Sequence, residues 1–233
     1  MKFENTKVMN FEGSIRGMRN PLESWARSDS KYDENGEYIV GPNDLGLMQR
    51  LLKASIAQGN SHSKFLRQIL VCVDITAPLY WWKETDQYRV GVTTNSESTM
   101  HRLAKTPITL DCFETDDYDP DLSLAYDRED DDYDDGLDDI SVYVEDMIMV
   151  MENLRKAYLA TDDKRYWKEL IRLLPEGWLQ KRTTTLNYQV LRQMYFDRRH
   201  HKLTEWSKSF VEWVKTLPYA DELIMYEGDD KNA

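Results

Sequence analysis

Apolar residues fall into two rhythms along this chain. Between Asn43 and Gly59, the positions Leu45, Leu47, Met48, Leu51, Leu52 and Ile56 follow the 3.6-residue period and predict a helix that Asn43 caps. From Phe65 to Ile75 the run FLRQILVCVDI is nearly continuous and β-prone, which predicts a buried strand. Pro78 then opens LYWWKETDQYRV as a helix. Upstream, Lys7 to Phe11 reads as a short strand running into a turn of helix around Ile15, Arg16 and Met18, stopped by Asn20-Pro21. Residues 21–42, rich in Ser, Gly and Asn, read as loop. The last ninety or so residues are helical in pattern throughout. Helices are predicted over 142–159, with Val142, Met147, Met149, Val150, Met151 and Leu154 toward the core, and over 166–174, ending at Pro175. Two more are predicted over 184–199, with Leu186, Val190, Leu191, Met194 and Tyr195 on one face, and over 203–217, with Trp206, Phe210, Trp213 and Val214. The whole reads as one α/β domain spanning 1–233 with a helix-rich C-terminal half and no internal repeat.

Charge changes this picture in one place. The 233 residues carry a formal net charge of −12, yet 111–139 holds fifteen Asp and Glu against one Arg, a local −14 that leaves +2 on the other 204 residues. The stretch therefore reads as a solvated, disordered acidic loop inserted in the domain. A second function class attaches to it: carboxylates spaced along an extended chain imitate a nucleic-acid backbone and would engage a basic protein partner. Tyr118, Tyr126 and Tyr133 could dock transiently there. An EF-hand register with Gly136 sixth puts Asp131 first, but Tyr133 third and Val142 twelfth, so the calcium pattern fails.

With 41% hydrophobic and 12% aromatic residues, including seven Trp and fourteen Tyr, the chain has enough apolar surface for a sizeable core. No window approaches a membrane span and the N-terminus has no leader pattern, so a cytoplasmic protein is expected. Cys72 and Cys112 form no CxxC pair, and His62, His101, His200 and His201 are scattered, so no metal site is expected.

Two polar stretches carry the candidate chemistry. Lys83, Arg89, Asn95, Glu97, Ser98 and His101 follow the buried strand, where a site often lies, although Thr-Asn-Ser-Glu-Ser is equally a capping and turn sequence. Asn187, Arg192, Arg198, Arg199, His200 and His201 accompany the third C-terminal helix. Guanidinium groups where two helices meet can hold an anion by bidentate, charge-assisted bonds. The alternative is a helix end whose cations answer the C-terminal dipole. Trp81-Trp82 could stack a base or a flavin ring, but at helical spacing after a buried strand they read as core or subunit interface.

Taken together, the two stretches resemble the flavin-dependent thymidylate synthases. That family has a Pro after an extended run, a helix bearing Arg-His-Arg, and then Ser-x-Asn-x-x-Ser-x-Arg. Here Pro78 holds the place of the Pro, Lys83-Glu84 stand where Arg-Gln is common, and Gln87-Tyr88-Arg89 keep only the last Arg. After one inserted residue, Asn95 and Ser98 match, while Met100 replaces the Arg. The second stretch keeps Asn187, Leu191 and Arg198 at the family spacing, ahead of Leu203-Thr204-Glu205-Trp206. The resemblance covers roughly 60–105 and 170–215 and leaves the acidic insert unmatched.

The resemblance implies a homotetramer with active sites at subunit interfaces, holding FAD beside dUMP and using NADPH and methylenetetrahydrofolate to methylate the pyrimidine. It implies Arg198 on the pyrimidine or its developing charge, Ser98 near the nucleotide, and Arg89, Lys83, Asn95 and Asn187 toward the cofactor or its phosphates. No direct nucleic-acid binding is expected. The missing Arg-His and the missing Arg at Met100 remove cations, each costing about 1.5–3 kcal/mol of charge-assisted bonding. Two readings follow: a divergent enzyme on a pyrimidine nucleotide, with Lys83, Arg67 or Arg102 substituting, or a binding or regulatory protein that keeps the fold without the reaction.

Overall fold

The computed structural model describes residues 1–59, 61–124 and 138–228. The expectations for Tyr126, Tyr133 and the failed calcium register lie outside the described residues, as does the middle of the acidic run. In chain order the elements are β1 (Lys2–Met9), α1 (Phe11–Arg19), β2 (Lys31–Tyr32), β3 (Tyr38–Ile39), α2 (Pro42–Gln58), β4 (Leu70–Pro78), α3 (Leu79–Thr85), β5 (Thr93–Ser96) and α4 (Thr99–Lys105). There follow β6 (Ser123–Leu124), β7 (Asp138–Asp139), α5 (Ile140–Thr161), α6 (Lys164–Arg172), β8 (Leu179–Asn187), α7 (Tyr188–Arg198) and α8 (Val211–Lys215). A π-helical stretch, Glu205–Phe210, leads directly into α8. The main sheet has the order β1-β4-β8-β5; β2 pairs with β3, and β6 with β7, antiparallel.

The buried strand read from the apolar run is β4, starting five residues later than expected because Lys64–Gln68 forms a 3-10 turn. Its alternation explains its place in the sheet: Val71, Val73, Ile75 and Ala77 are fully covered, while Leu70, Cys72, Asp74 and Thr76 are half-buried. The largest correction concerns 184–199. The chain there is not one helix: 179–187 is strand β8, and α7 begins only at Tyr188. Thr183-Thr184-Thr185 is a β-branched run, and the sheet claims it ahead of any helical period. Leu186 therefore belongs to a strand. The loop expected over 21–42 holds 3-10 turns and the β2–β3 hairpin, with Gly36 at φ +80 in its turn.

The chain divides into two compact units, with β4, β5 and β8 running from one into the other. One unit comprises Met1, 76–83 and 96–181. Its core joins Leu103, Ile108, Cys112, Phe113, Met151, Leu170 and Trp178, with Met147, Leu154 and Leu79 packed against them. Cys112 and Phe113, at the head of the acidic stretch, thus belong to the core, and Phe113 bridges to Trp178 in strand fashion. Trp81 and Trp82 are fully buried, as a core role requires, and Trp82 Nε1 donates to Gln180 O at 3.0 Å. The face predicted for α5 is only partly right. Met151 is buried, but Val142, Met149 and Val150 are exposed.

The other unit comprises 2–75, 84–95 and 182–233. Here α7 packs on the Lys64–Gln68 turn and on the π-turn Ala220–Ile224, which also meets α2. Phe3 of β1 stacks on Trp213 with ring centroids 4.5 Å apart. The helix α2 is capped differently from expectation. Gly41, not Asn43, is its N-cap, and the Asp29 carboxylate accepts from Asn43 N at 2.9 Å and Asp44 N at 3.1 Å, satisfying first-turn donors. One turn in, Asp44 is wholly buried and accepts from Arg19 Nε at 2.6 Å, Ser28 Oγ at 2.7 Å and Ser30 Oγ at 2.6 Å. Burial pushes its pKa up, but the bonds from Ser30, Ser28 and Arg19 prevail and hold it below the ordinary carboxylate value. This knot ties the 21–30 segment to α2.

Candidate functional site

The helix α7 carries the clearest polar cluster, built in the unit that contains 84–95 and 182–233. Asn187 starts α7: its side-chain oxygen accepts from Val190 N at 3.0 Å, a side-chain N-cap. Eleven residues on, Arg198 is the last helical residue, where a cation answers the negative end of the helix dipole. Its Nε donates to Tyr88 Oη at 3.0 Å, and its Nη1 lies 2.9 Å from Glu84 Oε2. That second contact is electrostatic rather than directional, because Glu84 Oε2 is buried without an aligned hydrogen-bond donor. Tyr88 Oη in turn donates to Asp197 Oδ2 at 3.1 Å.

Rings close the sides of the guanidinium. Its carbon lies 5.3 Å from the Trp206 ring centroid and 5.8 Å from that of Tyr88. His201 Nδ1 accepts from Leu203 N at 3.2 Å, which assigns the neutral ring's proton to Nε2, 3.7 Å from Glu84 Oε2. Burial raises the Tyr88 hydroxyl's pKa even though its bond with Arg198 works the other way, so it stays a neutral phenol at ordinary pH. The cluster is thus one half-buried cation held against one carboxylate, with a second carboxylate reached through a phenol. Its carboxylates answer and outnumber the guanidinium, so it is not the bare cationic patch that Arg198, Arg199, His200 and His201 suggest in sequence. Arg199 is paired as well, with Glu227.

The other expected residues are engaged as follows. Asn187 is buried and spent as a cap; its Nδ2 would lie 2.6 Å from a Cβ on Gly91, whose φ of +74 also favours glycine. Arg89 is exposed and donates from Nε to Asp86 O at 2.8 Å, leaving most of its fork free. Asn95 is exposed on β5. Ser98 caps α4, accepting from His101 N at a long 3.4 Å. Lys83, 68% exposed, pairs with Glu176. Of the proposed substitutes, Arg67 is exposed, whereas Arg102 is tied to Glu97 at 2.6 Å and lies 5.1 Å over Trp178. Arg192 donates to Ile224 O at 2.9 Å.

Sequence reasoning finds Arg198 and misses what surrounds it. Glu84, Tyr88 and Trp206 are the unanticipated members. Their signal is spacing: Glu84 and Tyr88 are four apart and Arg198 and His201 three apart, so each pair shares a face of helix or turn.

The sheet order, the strand-to-helix passage from β4 to α3 and the strand-to-helix passage from β8 to α7 define an α/β protein with the fold of the flavin-dependent thymidylate synthases. Flavin-dependent thymidylate synthase ThyX from Helicobacter pylori, solved with FAD and dUMP, superposes with a TM-score of 0.61 at 17% identity over 96% of this chain and 98% of that one. The UMP/dUMP methylase PolB from Streptomyces cacaoi, solved with 5-Br dUMP, gives 0.58 at 17% identity over 96% and 94%. No family model matches the sequence, and neither does any curated protein. Among the described residues no His, Cys, Asp and Glu group could hold a metal ion, and no helix is long and apolar enough to cross a membrane.

Proposed function

We propose that this chain is a flavin-dependent thymidylate synthase-like protein that binds a pyrimidine nucleotide such as dUMP, with Arg198 as the residue that meets the base. The observation that carries this reading is the shielded Arg198 guanidinium between Tyr88 and Trp206, in a fold shared over nearly the whole chain with proteins solved holding dUMP or 5-Br dUMP. A guanidinium so placed donates to a pyrimidine carbonyl and stabilises negative charge that develops on the ring. Glu84 competes for it and must yield or share, so binding is weaker than at an unpaired arginine. Ser98, whose hydroxyl makes only a long bond, is free to reorient toward a nucleotide.

FAD fits the residues in part. Arg89 has free guanidinium donors, Lys83 sits in a surface ion pair of a kind that exchanges at little cost, and Asn95 presents an exposed amide, so these would hold the cofactor's phosphates and sugar. Asn187 would serve it only indirectly, by capping α7. The flavin would supply the reducing chemistry, with NADPH and methylenetetrahydrofolate as further reactants if turnover survives. Residues 1–233 act as one functional domain in this reading. The exposed apolar residues Val142, Met149 and Val150 of α5 support a homo-oligomer, proposed as a tetramer in the cytoplasm.

The test is direct. Purified protein is examined for flavin absorbance before and after added FAD, and its melting temperature is followed with dUMP. Bound flavin or a saturable dUMP-dependent rise supports the reading; neither, with intact protein, refutes it.

A further inference from the structure

Away from Arg198, between the end of α1 and the face of α2, lies a second cleft, of about 860 Å3. It exists because α1 stops at Asn20-Pro21 and the chain turns through Asn20–Leu22 and Trp25–Arg27 before the Asp44 knot draws it back onto α2. Met18, Leu22, Leu47 and Leu51 give it apolar walls. Its charged lining is Arg19, Arg27, Arg50 and Asp29, joined by His62.

Those charges are not equivalent. Arg19 is spent on Asp44, and the Asp29 carboxylate is spent on the backbone of Asn43 and Asp44. Arg27 and Arg50 are both exposed, and among the described residues neither side chain makes an ion pair or a hydrogen bond. Seven arginines outside the cleft, Arg102, Arg155, Arg165, Arg172, Arg182, Arg198 and Arg199, each have an acid partner, whereas the exposed Arg89 resembles Arg27 and Arg50 in having none but lines no such cleft. Beyond His62 the cleft continues into a smaller cavity of about 360 Å3 that shares Met18, Pro21, Leu51 and His62 and adds Lys64. The lining thus combines apolar walls with two unspent guanidinium forks and no unspent carboxylate.

We propose that this cleft binds a small anion carried on an apolar body, a phosphate or carboxylate group on an aromatic or aliphatic frame, with Arg27 and Arg50 holding the anion. Guanidinium forks match both oxyanions bidentately, and the body lies against Met18, Leu47 and Leu51. The site is independent of the nucleotide reading at Arg198.

Calorimetric titration of the full chain tests it, with phenyl phosphate and benzoate as the two anion sources, inorganic phosphate as the bare anion and benzylamine as the charge-reversed control. Saturable binding of phenyl phosphate or benzoate is expected, and the tighter of the two names the oxyanion. Inorganic phosphate should bind about tenfold or more weakly, having no apolar body, and benzylamine should not bind. Arg27→Gln and Arg50→Gln should each cut affinity about tenfold while melting like the parent, since neither guanidinium has a partner to lose. Arg198→Ala should leave it unchanged. No saturable binding of either anion up to about 10 mM overturns the proposal, since that limit is weaker than any useful site. So does equal affinity for inorganic phosphate, or an affinity indifferent to the double Arg27→Gln/Arg50→Gln change. Loss on Arg198→Ala instead places the anion at the other site and equally overturns it.

Discussion

Glu84 Oε2 lies 2.9 Å from Arg198 Nη1, so the arginine best placed to meet an anion already faces one. A nucleotide must compete with that carboxylate. Glu84→Gln keeps the size and removes the charge, and it is expected to tighten dUMP binding roughly fivefold, about 1 kcal/mol for a partly exposed pair. Titration calorimetry of the two proteins reads this. Unchanged or weaker binding would mean that Glu84 positions Arg198 instead of competing for it.

Asn187 is the N-cap of α7, and the consequence is structural. Asn187→Ala should lower unfolding free energy by about 1 kcal/mol, whereas Asn187→Ser, which restores an accepting oxygen, should recover most of it. Urea denaturation of the three proteins measures the difference. Equal stability of all three would leave the cap without energetic weight.

The Asp44 knot should matter more. Removing its carboxylate strands the Arg19 guanidinium, which is almost fully buried. Asp44→Ala is expected to cost about 3–5 kcal/mol, the range for breaking a buried pair from one side. A midpoint within experimental error of the parent's would refute that estimate.

Glu152 supplies a pH signature. The hydrogen bond from Arg155 lowers its pKa to about 2, with help from Ile108 N and against a smaller penalty for burial. A depressed carboxylate pKa contributes stability that is present above its unfolded value, near 4.5, and is lost as pH falls toward about 2. The stability gap between the parent and Glu152→Gln should therefore be full at pH 6 and shrink through that window, as read by denaturant midpoints at each pH. A gap constant with pH would mean the carboxylate gains nothing from Arg155.

How far the sequence carries depends on which force decides each element. The helix α2 is legible as a helix from its period, although of its apolar positions only Met48 and Leu52 are buried and Ile56 is exposed. The strand β4 is legible because its apolar run and its burial coincide. So is the buried Trp81-Trp82 pair. The strand β8 is not: Thr183-Thr184-Thr185 is polar, and its place between β4 and β5 is set by partners distant in sequence. The exposed Val142, Met149 and Val150 mislead for the opposite reason, since an apolar residue on a helix need not face its own core. At the site, Arg198 is legible from the spacing Asn187, Leu191, Arg198. The neutralising role of Glu84 is not, because it takes a contact across 114 residues to bring the two charges together.

The measurement that bears most directly on the central claim is a calorimetric titration of dUMP into the intact protein and into Arg198→Ala, side by side. Saturable binding to the parent, weakened about tenfold or more when the guanidinium is gone, is the expected result. Equal affinity in the two proteins, or no binding to the parent while it remains folded, would contradict it.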